Sequence, residues 1–455
     1  MNPILSENRA LRDIETVLLP GDPGYDEACL AWNLAVRQQP AAVAVPRTVA
    51  DVRAVVGAAA SRGMRIMPQS TGHAASALAG LPLDDVVLLR MHEFTGVEVD
   101  PVARTARVLG GTLWQDVVSE AAAHGLSVLH GSAGDVAVAG YVLGGGLSFY
   151  GRAHGLAASS VRAIEIVTAD GELLRVSAEQ HPELFWALRG GGGNFGAVVA
   201  IELDLLSFAD VFAGMLLWDL SHGPEVAHAW ADWTASVPES VTTSMRFMRF
   251  PPMPELPPFL SGRELVVIDG AILEDDERAA ELLAPLRALE PELDTFARIP
   301  SAGLLAVHMD PPMPTPSVSN HSMLSGLPRE AVDALIAVAG PGVEIPLMFA
   351  ELRHLGGALA RPADAALARL DGAHALFAIA VAPTPELLEL GRRSTGAVVE
   401  ALRPWSTAGN YSNFAEHPID GATLFESEAW QRLVGVRDAY DPGRIWVAAH
   451  AVGGR

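Results

Sequence analysis

Short apolar runs and helix-period stripes alternate along the first two hundred residues. Residues 40–45 form a short apolar strand and 48–62 a helix, in which Val49, Val52, Val55, Val56 and Ala59 make one stripe. Thr48 and Asp51 are spaced as a capping box, and Gly63 stops the helix. A strand follows at 64–67, closed by Pro68. Residues 85–90 predict another strand, 96–108 a hairpin bending at Asp100-Pro101, and 112–124 a helix with Leu113, Val117 and Ala121 on one side. Runs 161–168 and 173–177 flank Ala169-Asp170-Gly171-Glu172, a hairpin signal. Residues 181–188 read as a short helix and 197–205 as an alternating strand.

From Phe208 the pattern changes. Strand-like runs at 212–220, 242–250, 264–272, 345–352 and 374–382 are interleaved with helices near 224–236, 276–289, 329–339 and 385–402. Five strands with helices between them predict one sheet covered on one face. The tail, 428–455, returns to the composition of the first half and is expected to pack back on it.

A chain of 455 residues is too long for one compact core, which predicts two domains. The net charge of −23 argues against nucleic acid and an anionic membrane surface as partners, since both need a basic face. All 31 basic residues are arginine. The absence of lysine excludes a pyridoxal-phosphate Schiff base, a P-loop and a kinase-type phosphate site. Cys29 is the single cysteine, so intrachain disulfides and thiolate metal clusters are excluded; in Glu27-Ala-Cys-Leu-Ala-Trp32 it reads as a core residue of a helix. Residues 1–18 carry Glu7, Asp13 and Glu15 and no apolar h-region, so no signal peptide is read. No run reaches the roughly 18 apolar residues of a membrane span. The expectation is a soluble, cytoplasmic protein, a monomer or small homo-oligomer.

Three glycine-rich turns share the first half. In residues 67–80, Gly72 frees the backbone, Ser70 and Thr71 bring hydroxyls and amides into a tight turn fit to wrap an anion, and His73 sits at its tip. Taken alone, His73 reads equally well as an ordinary loop histidine. Residues 131–146 are either a buried glycine-rich helix packed on a strand or a close backbone approach to a large flat or extended ligand. Gly191-x-Gly193-x-x-Gly196 matches the dinucleotide fingerprint in letters, but a helix precedes it and a strand follows, the reverse of the order that aims a helix N-terminus at pyrophosphate. No His-Glu-x-x-His occurs and the histidines are scattered, so no zinc site is read. Without lysine, backbone N–H groups are the main phosphate donors, and a long pyrophosphate-containing cofactor would use all three turns.

The order Thr71-Gly-His73, Gly140-x-x-x-Gly-Gly-Gly146, Tyr150-Gly-Arg-x-x-Gly-Leu156 and Leu184-Phe-Trp-Ala-Leu-Arg-Gly-Gly-Gly-Gly-Asn-Phe-Gly196 resembles the FAD-linked oxidases of the vanillyl-alcohol oxidase superfamily, in its berberine-bridge-enzyme-like branch. Glu351-Leu-Arg-His-Leu-Gly-Gly-Ala358, Tyr411-Ser-Asn-Phe414 and Tyr440-Asp-Pro442 resemble later motifs of that branch. The resemblance implies an α+β fold. A two-part PCMH-type FAD-binding domain would span 1–207 and be completed by the tail, 420–455; a substrate-binding domain, 208–419, would hold an antiparallel sheet covered by helices. It implies that His73 is bonded to the flavin 8α-methyl carbon, because a neutral imidazole nitrogen adds to the electrophilic form the methyl takes on losing a proton. Gln69-Ser-Thr-Gly72 departs from the common Arg-x-Gly-Gly. Ala133 stands where many relatives carry a second flavin-linking cysteine, so any covalent link is single.

FAD contacts are implied at Ser70, Thr71, Gly72, Gly134, Ala137, Gly140, Gly144, Gly145, Gly196, Val198, Tyr411 and Asn413. Tyr411 and Asn413 alternate with Ser412 and point the same way if extended. The family sets this pair beside the isoalloxazine as the catalytic residues, whereas the residues alone also allow a core tyrosine with one hydrogen bond. A phenol of pKa about 10 is a poor base at neutral pH unless a positive or hydrogen-bonding neighbour favours its phenolate. Glu351, Arg353 and His354 read as pocket residues or as a structural ion pair. The implied activity is oxidation of a C–OH or C–N/C–C centre of a small organic substrate, a sugar or secondary metabolite. Hydride passes to covalently bound FAD, Tyr411 takes or steers the proton, and dioxygen leaves as hydrogen peroxide. A dehydrogenase with another acceptor and a non-catalytic flavin or ligand binder are the alternatives.

Overall fold

Three sheets follow one another along the chain. They are seen in a computed structural model describing residues 9–254 and 256–454, so residues 1–8 of the stretch read for a signal peptide lie outside the described residues. Strands β1 (Val17–Leu18), β2 (Ala42–Ala44), β3 (Arg65–Gln69) and β4 (Val86–Arg90) form the first, in the order β1-β2-β4-β3. Between β2 and β3 runs α1 (Val49–Ala60), begun by the reciprocal Thr48–Asp51 capping box and burying Val52, Val55, Val56 and Ala59. β3 runs through Pro68 to Gln69, two residues past the predicted end. A strand at the sheet edge tolerates a residue without an N–H.

The second sheet is antiparallel and holds β5 (Val97–Asp100), β6 (Thr105–Leu109), β7 (Val161–Val167), β8 (Leu173–Ser177) and β9 (Ala197–Asp204) in the order β5-β6-β9-β7-β8. Both predicted hairpins are present. Helix α2 (Trp114–Ala123) starts two residues later than expected, with Leu113 extended at its N-cap. The glycine-rich stretch 131–146 contains a short buried helix, α3 (Val138–Leu143). Helix α4 (Pro182–Leu188) precedes the third glycine turn and β9 follows it, the element order that excludes a dinucleotide fingerprint there.

Where the sequence predicts five strands, the third sheet has eight: β10 (Asp210–Asp219), β11 (Val241–Arg249), β12 (Glu264–Ile272), β13 (Leu293–Asp294), β14 (Ala297–Pro300), β15 (Ser317–Leu324), β16 (Phe349–His354) and β17 (His374–Val381). β15 escapes a pattern reading because Ser, Asn and His dilute its strand propensity; β13 and β14 are too short to register. Its strand pairings are antiparallel. Helices α5 (Gly223–Thr234), α6 (Asp276–Arg287), α7 (Arg329–Ala339) and α8 (Pro385–Leu402) pack with Trp218, Phe247 and Leu352 in one core. The alternate residues turn the other way: Ser244, Arg246, Glu351, Arg353 and His321 share the opposite face by cross-strand register. Thus one face of this sheet is apolar and helix-covered, and the other presents buried polar groups.

After α9 (Ser427–Tyr440) the tail returns to the first sheet. Ile66 N–H donates to the Ile445 carbonyl at 2.7 Å, and Val447 N–H to the Ile66 carbonyl at 2.8 Å. Buried Arg437 fastens this return by donating to the carbonyls of Val452 and Trp446 and to Asn194 Oδ1.

Candidate active site

A cavity of about 360 Å³ is walled by all three glycine turns, by residues 447–450 of the tail, and by Arg353, Tyr411–Phe414 and Glu416 from the side of the eight-stranded sheet. Of the residues singled out in the sequence, His73, Ser70, Thr71, Gly72, Ala137, Gly140, Gly144, Gly196, Val198, Tyr411 and Asn413 line it. Gly134 and Gly145 do not. A side chain added to Gly134 would meet Gln115, and one on Gly145 would meet Leu367, so their bareness serves packing. At Gly140 and Gly193 an added Cβ would meet nothing within 4 Å, so the cavity lies directly against peptide backbone there. Arg353 is the one arginine of the lining. An extended pyrophosphate-containing group fits this cradle, with backbone amides as the available donors.

Gly72 (φ 85°) turns the chain after β3, and the backbone of Ala31 stands 3.0 Å from where its Cβ would be, so only glycine fits. Ser70 Oγ donates to the Gly110 carbonyl at 3.0 Å, tying the turn to the second sheet. His73 is set against Thr71, with Nδ1 and Oγ1 2.8 Å apart, and its ring is stacked on Trp32. Trp32 was placed in a helix by sequence; the helix there is only Tyr25–Ala28, which leaves Trp32 in a loop. Burial lowers the His73 pKa to about 4, against the pull of Asp135 and Asp310, so the imidazole is neutral at physiological pH.

At the other end, Tyr411 is 1% exposed. Residues 411–415 form a turn, not the extended segment that would align Tyr411 with Asn413: the Phe414 and Ala415 amides both donate to the Tyr411 carbonyl. The turn still brings the pair together, with Asn413 Nδ2 donating to Tyr411 Oη at 3.2 Å and to the Tyr141 carbonyl at 3.0 Å. Burial pushes the Tyr411 hydroxyl above its usual range, opposed by the backbone of Gly146 and Leu147, by Asn413 and by the charge of Arg353. Tyr141 Oη is buried beside this pair without a partner in the chain.

Arg353 does both things the sequence left open. It lines the cavity over the Phe414 ring, and it forms an ion pair, Nε donating to Glu351 Oε1 at 2.9 Å. Glu351 is fully buried and also meets His308 Nε2 at 3.3 Å; His308 Nδ1 lies 3.0 Å from Asp269, which pairs with Arg246. His354 turns away to Arg152. Sequence reasoning missed Glu416, whose carboxyl lines the cavity, accepts from Ser319 Oγ at 2.7 Å and is raised by burial to about 7. Its motif neighbours flagged the segment, but nothing in its spacing flagged the carboxylate. Among the described residues no group of His, Cys, Asp and Glu could hold a metal ion, and no helix is long and apolar enough to cross a membrane.

Residues 40–177 match a family described as an FAD binding domain. The chain is 32% identical over 203 residues to (R)-6-hydroxynicotine oxidase of Paenarthrobacter nicotinovorans, a match covering 44% of each chain. It is 28% identical over 270 residues to chitooligosaccharide oxidase of Gibberella zeae, covering 58% of this chain and 52% of that one. The chain therefore spans about half the length of these relatives. Over 99% of both chains its fold superposes on BBE-like 1 of Physcomitrella patens, with a TM-score of 0.83 at 20% identity.

Proposed function

We propose that this chain, whose residues 40–177 match an FAD binding domain and whose fold superposes on BBE-like 1, is a flavin-dependent oxidase of a small organic substrate. The observation that carries the reading is one cavity with His73 at one end, bare glycine backbone along its length and the Tyr411–Asn413 pair at the other. Bound FAD supplies the redox chemistry, accepting hydride from substrate and giving the electrons to dioxygen, which leaves as hydrogen peroxide. His73, neutral and at the tip of its turn, is the residue for a single covalent attachment, with Ala133 offering no second one. The amides of the three turns hold the phosphates.

Tyr411 manages the substrate proton. Its Oη is fixed by Asn413, and ionisation there is favoured by Arg353 and opposed by burial. The substrate enters from the polar face of the eight-stranded sheet, where Arg353, Phe414 and Glu416 line the cavity. Sugars and nitrogen heterocycles, the kinds of substrate named in the relatives, are both within this reading.

The test is purified protein denatured in acid. Yellow colour retained by the chain, an intact mass raised by one FAD, and loss of both in His73→Ala are expected, followed by peroxide formation in a substrate screen. Colour released on denaturation removes the covalent link, and a chain without flavin removes the proposal.

A further inference from the structure

We propose that Asp135, held by Trp32, is the positioning residue that prepares the His73 imidazole for attachment to the flavin. The inference rests on the reading of His73 as the attachment point. Three contacts fix the ring and a fourth holds Asp135 in place. Trp32 stacks on it with centroids 4.4 Å apart and planes 20° from parallel. The Trp32 Nε1–H donates to Asp135 Oδ2 at 2.5 Å. Asp135 Oδ1 stands 4.0 Å from His73 Nε2, and Thr71 Oγ1 stands 2.8 Å from Nδ1 on the other side of the ring. The two nitrogens therefore have unlike partners. A carboxylate facing Nε2 favours the tautomer with its N–H there, which leaves the lone pair on Nδ1, with the Thr71 hydroxyl donating to it. The other carboxylate that acts on the ring, Asp310, is engaged by His308, Ser132 and Arg353.

The arrangement in space gives this contact a direction. His73 lines the flavin cavity; Trp32 and Asp135 line a second cleft of about 990 Å³; Ser70 and Thr71 are common to both walls. The imidazole thus stands between the two spaces. Asp135, with its side chain 28% exposed, faces the cleft. In the attachment step a bond forms between His73 Nδ1 and the flavin 8α carbon as that methyl loses a proton, and the isoalloxazine takes up two electrons. The Nε2 proton crosses to Asp135, a closure of about 1 Å bringing the pair within hydrogen-bond range, and leaves through the cleft. Dioxygen then removes the two electrons, and with two protons forms hydrogen peroxide. The wide cleft behind His73 is in this view the exit for a proton that the buried side of the ring cannot release.

The full-length chain, made under riboflavin limitation and then given FAD in air, reads the step directly. Non-covalent binding is followed by flavin fluorescence, and attachment by intact mass and acid-stable colour over time. Asp135→Asn is expected to bind FAD with wild-type stoichiometry and to attach it about 10- to 100-fold more slowly, with partial recovery in Asp135→Glu. Asp135→Asn attaching at the wild-type rate overturns the proposal. Should that variant fail to bind FAD, Trp32→Phe decides, since it keeps an aromatic ring for the stack and removes the N–H that holds the carboxylate: slowed attachment supports the assignment and an unchanged rate overturns it. A wild-type chain that binds FAD but never links it overturns the His73 reading itself, and this inference with it.

Discussion

Removing Arg353 tests whether the polar face of the eight-stranded sheet is a coupled charge cluster. Glu351 is fully buried, its Oε2 has no partner, and its Oε1 has two, Arg353 Nε and His308 Nε2. Arg353→Met keeps the length of the side chain but leaves a buried carboxylate facing a single imidazole. Breaking a buried pair in this way costs about 3–5 kcal/mol. With an unfolding entropy of about 2.1 cal/mol/K per residue, a 455-residue cooperative unit has about 1 kcal/mol/K, which makes the fall in Tm about 3–5 °C. If residues 208–419 melt as a separate unit the same cost is about 7–11 °C. The assay is thermal and denaturant unfolding of three chains: wild type, Arg353→Met, and Arg353→Met with Glu351→Met. The double variant removes the stranded charge and is expected to regain most of the loss. A single variant within about 0.5 kcal/mol of wild type, as for an ordinary surface change, or a double variant no better than the single one, refutes the coupling.

Other consequences follow from the same geometry. Tyr411→Phe is expected to slow flavin reduction about 10²- to 10⁴-fold, and because burial raises the tyrosine, the wild-type rate should climb with pH across the neutral range; a flat profile, or an unslowed variant, dismisses Tyr411 as the proton acceptor. A Cβ on Gly144 would overlap Asn413 Oδ1, so Gly144→Ala should displace the Tyr411 turn and cost about tenfold or more in flavin reduction, read by stopped flow with FAD content as control. Burial raises Glu416 from its ordinary 4.5 to about 7. The folded chain then keeps a proton that the unfolded one gives up, so this group's contribution is fully present below about pH 4 and is lost as pH rises through about 7. Glu416→Gln should flatten the fall in Tm over that window, and an unchanged slope would show that the carboxyl does not titrate there.

Much of the fold can be read from periodicity because its elements bury one continuous stripe. Helix α1 is complete in the sequence, from Thr48 and Asp51 to Gly63, and so are the hairpins at Asp100 and Gly171. β15 is invisible for the opposite reason: Asn320 and Ser322, which pair with core residues Ala378 and Leu376, are polar like Ser319 and His321 on the other face, so the strand lacks the apolar alternation that marks a half-buried sheet. The glycine turns are legible as candidate ligand cradles, with residues 131–146 also readable as the buried glycine-rich helix that α3 proves to be. Which glycines meet the ligand is not, because Gly134 and Gly145 are bare for Gln115 and Leu367, neighbours that only the folded chain supplies. The same holds for Trp32 and Asp135, 103 residues apart in sequence and joined by one hydrogen bond.

The return of the tail sets an order of events in the life of the chain. Residues 447–450 wall the cavity, and the Trp446 segment is stitched to Ile66, seven positions before His73. His73 leaves the ribosome early, yet the wall that closes over it is synthesised 377 residues later, at about 5–20 residues per second some 20–75 s afterwards. Closure of the cavity is therefore a late event, open only to chains already translated past residue 450. A chain halted before residue 447 has every glycine turn and lacks the segment that walls them in.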